Sequence, residues 1–163
     1  MKTFVYIMLG LLLMILETAI SQRVSLDVLK PELGMPIILY ATFFLGARSG
    51  LVTTLCISFV QEGLSSAPNG SLLFVNISVF LIAAAMRNKI FIDSKYSFAY
   101  VCSSAVIVQS LLFLALSILA RGETRGAFNI IFYALPNAIV TGFVSILLFT
   151  FIEFMNESFL ERK

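Results

Sequence analysis

Enzymes announce themselves through a nucleophile with its base, a metal cage, or acids paired so that one holds its proton. This 163-residue chain has no histidine to serve as base or ligand. Its two cysteines, Cys56 and Cys102, stand singly inside apolar segments with no Cys-x-x-Cys spacing. They read as buried thiols, not zinc ligands. No Gly-x-Ser-x-Gly elbow, glycine-rich phosphate loop or paired intramembrane aspartates occur, and such motifs are what hydrolytic and phosphate chemistry require. The residues therefore predict a protein that is not an enzyme and carries no cofactor or metal.

The polar chemistry that remains lies in or beside apolar stretches. Glu17 falls near the end of the first, Glu62 where the third ends, Asn76 in the fourth and Gln109 in the fifth. Ionisable groups at membrane depth are costly and point to function by default. Both glutamates fall near expected helix ends, within reach of interfacial water, so Glu17 reads first as an interface residue. Asn76 and Gln109 read as hydrogen-bonding partners between helices, worth about 0.6 kcal/mol each. An ion or proton path needs several such groups in line, and the sequence does not line them up.

The elements that hold these residues follow from composition. The chain is 60% hydrophobic and 12% charged, with a mean hydropathy of +1.01. Soluble domains average about 45–50% apolar and about 25% charged residues. There is too little polar surface to cover a water-soluble globule, and the net charge of +2 is too small to favour nucleic acid. The apolar residues fall into blocks, and about 20 residues cross the hydrocarbon as a helix. The expected fold is an all-α membrane protein, one compact bundle of six transmembrane helices filling residues 1–163. The expected spans are residues 4–20, 32–46, 50–61, 71–86, 97–120 and 136–154.

Breakers set those limits. The first span reads as a retained helix, because residues 18–22 lack a small-x-small cleavage site. A polar connection runs from Ser21 to Pro31. Pro36 is tolerated in the first turns of the second helix. Residues 46–50 (Gly-Ala-Arg-Ser-Gly) form a tight turn, and their GxxxG spacing flanks an arginine, which disfavours a dimer motif. Residues 62–70 are the most turn-rich stretch of the chain. Ala83, Ala84 and Ala85 give the fourth helix a narrow end for packing. Residues 90–96 are expected along the membrane surface. The apolar run 128–135 ends at Pro136, which predicts a kink or a short interfacial helix.

Cytoplasmic loops collect Lys and Arg. Six spans put Lys2, Arg48, Arg87, Lys89, Lys95, Arg162 and Lys163 on one side and Arg23, Lys30, Arg121 and Arg125 on the other. Both termini are therefore expected in the cytoplasm.

Several of these features together resemble the rod shape-determining protein MreD family of the bacterial inner membrane, over nearly all the chain and most densely from Lys30 to Arg87. Members carry Pro-Asp before the second span, where this chain has Pro31 and Glu32. A Gly-and-Arg turn follows, as at Gly46, Arg48 and Gly50. A D-x-x-S-x-x-P-x-G pattern comes next, matched in spacing by Glu62, Ser65, Pro68 and Gly70, and then a basic end to the fourth span, as at Arg87 and Lys89. Both family aspartates are glutamates here, and Ser66 replaces a common glycine. The resemblance implies a fold similar to the substrate-binding subunits of energy-coupling-factor transporters, without known transport. It implies a non-enzymatic role in the cell-elongation machinery that sets rod shape through peptidoglycan synthesis.

The partners so implied are an MreC-like bitopic protein and, through it, MreB-like filaments and peptidoglycan synthases. A second copy of this chain and membrane lipid are further candidates. Glu62, Ser65, Pro68, Gly70, Glu32 and Arg48 are the expected partner-binding residues. For Pro68 and Gly70 a plain turn-setting role stands slightly ahead, and for Glu62 a helix-capping role stands level with contact. The competing class is a vitamin-binding subunit of a transporter. Such subunits commonly show Ala-x-x-x-Ala in the first span, and residues 4–20 hold one alanine, Ala19.

Overall fold

Two glycines with positive φ, Gly46 and Gly70, stand at helix ends of this chain. The computed structural model describes residues 2–23, 32–65, 70–121 and 127–156. They form α1 (Lys2–Arg23), α2 (Gly34–Tyr40), α3 (Ala47–Leu64), α4 (Ser71–Met86), α5 (Lys95–Arg121) and α6 (Ala127–Met155). No strand occurs among the described residues. Most of the connection ending at Pro31, Pro68 itself, the loop 122–126 and the tail from residue 157 lie outside them.

The chain is all-helical, and α2 is its axis. Every residue from Gly34 to Thr42 is buried, and α2 touches each of the other helices. A helix apolar on all sides belongs in such a place. Pro36 sits in its first turn, where a missing amide proton costs no internal bond. Around it the main core gathers Tyr6, Met35, Leu39, Phe98, Val106 and Ile152, and a second cluster joins Met14, Ile37, Ile38 and Ile57. The thiol of Cys102 is buried in the main core, Cys56 is half-buried, and both are free.

The chain reverses after α2 in an unusual way. The last turn widens to π geometry over Ala41–Leu45 and ends at Gly46, whose φ of 107° is a conformation side chains disfavour. The Gly46 amide donates back to the Ala41 carbonyl at 3.1 Å. The Phe43 carbonyl accepts from Nε of Arg87 at 3.2 Å. The five-residue turn expected at 46–50 thus shrinks to one residue. Gly50 is already inside α3, its amide bonded to Gly46 O at 2.9 Å. A Cβ on Gly50 would come within 2.8 Å of Thr42 Cα, so the glycine lets the two helices of this hairpin touch.

A second correction concerns the C-terminal third. The run 128–135 is not a separate interfacial piece, because α6 continues unbroken through Pro136. Packing supplies the reason. The α5–α6 pair is the most extensive helix contact, and just past the proline Ser103 Oγ donates to the Ala138 carbonyl at 3.0 Å. Between Met86 and α5 the chain is a turn and irregular backbone, and the Ser94 hydroxyl accepts the Ser97 amide at 3.2 Å to start α5.

Two stretches, Lys95–Leu119 and Ile131–Met155, are long and apolar enough to cross a membrane. Shorter apolar helices occupy Phe4–Ala19, Gly34–Leu45 and Ser71–Met86. The outward face is rich in large apolar side chains, including Phe59, Tyr100, Leu119, Phe143 and Leu147, each more than two-thirds exposed.

Candidate functional site

A helix start leaves amide donors without internal partners. At α2 they are inside the molecule, and side chains from other helices take them. The Glu32 amide donates to Thr141 Oγ1 of α6 at 3.1 Å, and the Leu33 amide donates to Glu17 Oε2 of α1 at 3.0 Å. Glu17 is therefore more than an interface residue: its carboxylate holds the first turn of the central helix. The Glu32 side chain shares a cavity wall with Gln109 of α5 and lies near enough to Glu17 for the two charges to repel. Polar groups that the sequence leaves scattered converge here from α1, α2, α5 and α6.

A cavity of about 190 Å³ opens beside this cluster. Glu32, Gln109 and Ser110 supply its polar wall, and Leu72, Val75 and Phe113 its apolar one. Gln109 is 4% exposed, yet its Oε1 has no hydrogen-bond partner. An orphaned buried acceptor costs about 1–3 kcal/mol, which makes it a feature that asks for an explanation. One helix over, Asn76 Nδ2 donates to Gln61 Oε1 at 2.8 Å and joins α4 to α3. The Asn76 amide thus makes an interhelical bond of the kind expected.

Of the expected contact residues, Glu62, Ser65 and Gly70 share the connection between α3 and α4. The Glu62 carboxylate accepts from the Gly70 amide, and from the Leu73 amide at 3.3 Å. It caps the N-terminus of α4, where a negative charge also meets the positive end of the helix dipole. Gly70 takes φ of 88°, and nothing lies within 4 Å of a Cβ built on it. The backbone angle, not space, requires glycine there. Ser65 is exposed just after α3. Leu73 and Leu72 lie in the first turn of α4, the former bonded to Glu62 and the latter lining the Glu32 cavity, so Glu62 and Glu32 share one end of the molecule. Arg48 does not join them. It is exposed in the first turn of α3, roughly 20 Å from Glu62 along the helix.

The opposite end is aromatic. Tyr40 packs against Tyr6, Phe44, Phe98 and Phe149, with ring centroids 4.6–6.1 Å apart. Asn156, beyond α6, ties two rings together: it accepts from Tyr6 Oη at 2.7 Å and donates to Tyr40 Oη at 3.0 Å. No cue of spacing marked Asn156, since its partners lie 150 and 116 residues away.

Among the described residues no group of three or more His, Cys, Asp or Glu side chains gathers to hold a metal ion. No protein-family model matches the chain, and comparison with curated proteins and with solved structures gives no match.

Proposed function

We propose that the chain is a multi-pass scaffold of the bacterial inner membrane, a bundle of six transmembrane helices with both termini in the cytoplasm. In this reading it serves the cell-elongation machinery by holding the transmembrane helix of an MreC-like partner, and its fold follows the substrate-binding subunits of energy-coupling-factor transporters. The resemblance around Glu32, Arg48 and the Glu62–Gly70 pattern supports the cellular role. The large apolar side chains turned outward support lipid as the surrounding solvent, since soluble monomers rarely expose contiguous apolar surface on this scale.

The observation that carries the partner-holding role is a shallow groove of about 250 Å³ between α5 and α6. Its floor is small, made by Ala99, Ser103 and Gly142, and Tyr96, Tyr100 and Phe143 stand along its sides. Small residues let a neighbouring helix approach closely, and close packing is what drives helix association in lipid. A tagged chain purified in mild detergent should retain the MreC-like protein, and replacing Ala99 with Phe should release it. Recovery of no partner, together with intact rod shape after deletion, would sink the proposal.

The capping geometry of Glu62 bears on the loop. Its carboxylate is engaged with the α4 amides, so Glu62→Lys should leave partner retention unchanged while loosening α4. A second reading, a small-molecule-binding subunit of a transporter, draws support from the cavity beside Glu32. Thermal stabilisation by a vitamin panel separates it from the scaffold.

A further inference from the structure

The polar wall of the cavity beside Glu32 is rich in acceptors. When ionised, the Glu32 carboxylate accepts and does not donate. Gln109 Oε1 is buried with no hydrogen-bond partner. The Ser110 hydroxyl spends its proton on the Val106 carbonyl at 2.9 Å, so its oxygen can only accept. Among the described residues no basic side chain lines the space. An occupant that satisfies this wall must bring hydrogen atoms and positive charge.

We propose that this cavity, walled by Glu32, Gln109 and Ser110, is a binding site for a primary ammonium group on a short carbon tether. An ammonium carries three donors on a compact charge, matching the carboxylate, the orphaned Gln109 Oε1 and the Ser110 oxygen. Leu72, Val75 and Phe113 give the methylenes an apolar wall, and an aromatic ring is a favourable neighbour for a cation. A space of about 190 Å³ is comparable to cavities of ~150 Å³ that admit a six-membered ring. It suits an ethanolamine-sized group, either free or as the headgroup of phosphatidylethanolamine.

The inference stands apart from the scaffold proposal, because failure to retain a partner protein would not touch it. The test uses the full chain in detergent micelles, with thermal unfolding followed against ethanolammonium chloride. Tetramethylammonium chloride at the same ionic strength has the charge without N–H donors. Ethanolammonium should raise the midpoint saturably and tetramethylammonium should not. Gln109→Leu should weaken the response about tenfold by deleting one acceptor to a charged donor, and Glu32→Gln should abolish it. Ser110→Leu fills the space without touching the carboxylate, so it should also abolish the response and remains informative if Glu32→Gln fails to fold.

Lipid nanodiscs distinguish the source. If the headgroup is the occupant, ethanolammonium acts in phosphatidylcholine discs but adds nothing in phosphatidylethanolamine discs. If the free amine is the occupant, it acts in both. Equal responses to the two cations, no saturable response in any medium, or a full response in the Ser110→Leu protein would overturn the site.

Discussion

At its C-terminal end α2 meets rings; at its N-terminal end it meets carboxylates. Around Tyr40 the polar atoms are few and matched, with Asn156 bonded to both tyrosine hydroxyls and the remaining contacts ring against ring. Around Glu32 the polar atoms are many, and Gln109 Oε1 is left unmatched beside a cavity. One end spends its side chains on ring packing with its polar atoms paired. The other keeps uncompensated acceptors and empty volume, which stability alone does not ask for. The contrast sets a ligand-sized space at the carboxylate end against ring packing at the aromatic end.

Mutations can break that division or sharpen it. The largest loss is expected from Phe98→Ala, which removes a fully buried ring from the aromatic cluster and should cost about 3–5 kcal/mol in denaturant unfolding of the micelle-bound protein. Glu17→Leu should cost less, about 1–3 kcal/mol, by stranding the Leu33 amide inside the molecule. Unlike the ring deletion, it should also change the ethanolammonium response, because it alters the charge near the cavity. Tyr6→Phe keeps the ring and loses the bond to Asn156, for about 0.5–1.5 kcal/mol. Glu62→Gln should be mildest, about 0.3–1 kcal/mol, since the amide oxygen can still accept and only the charge at the α4 terminus goes. If Glu17→Leu outweighed Phe98→Ala, ring packing would not be the larger support, and the division would fail.

Much of the helical layout was legible in residue order. Gly46, Gly70 and the alternation of apolar blocks with turn residues bound α3 and α4 within a few positions of their observed ends. Packing made Pro136 illegible as a helix interior, because the local rule against proline yields to contacts that α5 makes with α6. The polar cluster was illegible for a different reason. Helix periodicity says which residues share a face of one helix, not which faces meet. Glu32 finds Thr141 across 109 residues of chain, and α2 is buried on every side, so no polar stripe marked the face where they join. Glu62 was partly legible: its spacing to Gly70 drew attention, and its carboxylate accepts from amides at the start of α4.

The single-residue reversal at Gly46 has a practical corollary for anyone mapping the topology of this protein. Proteases bind about ten residues of drawn-out backbone, and here Arg48 lies within a helical turn begun immediately after the bend. Trypsin should pass over Arg48 in the folded protein. A fragment cut there would report that the hairpin had come apart, not which compartment the enzyme had reached.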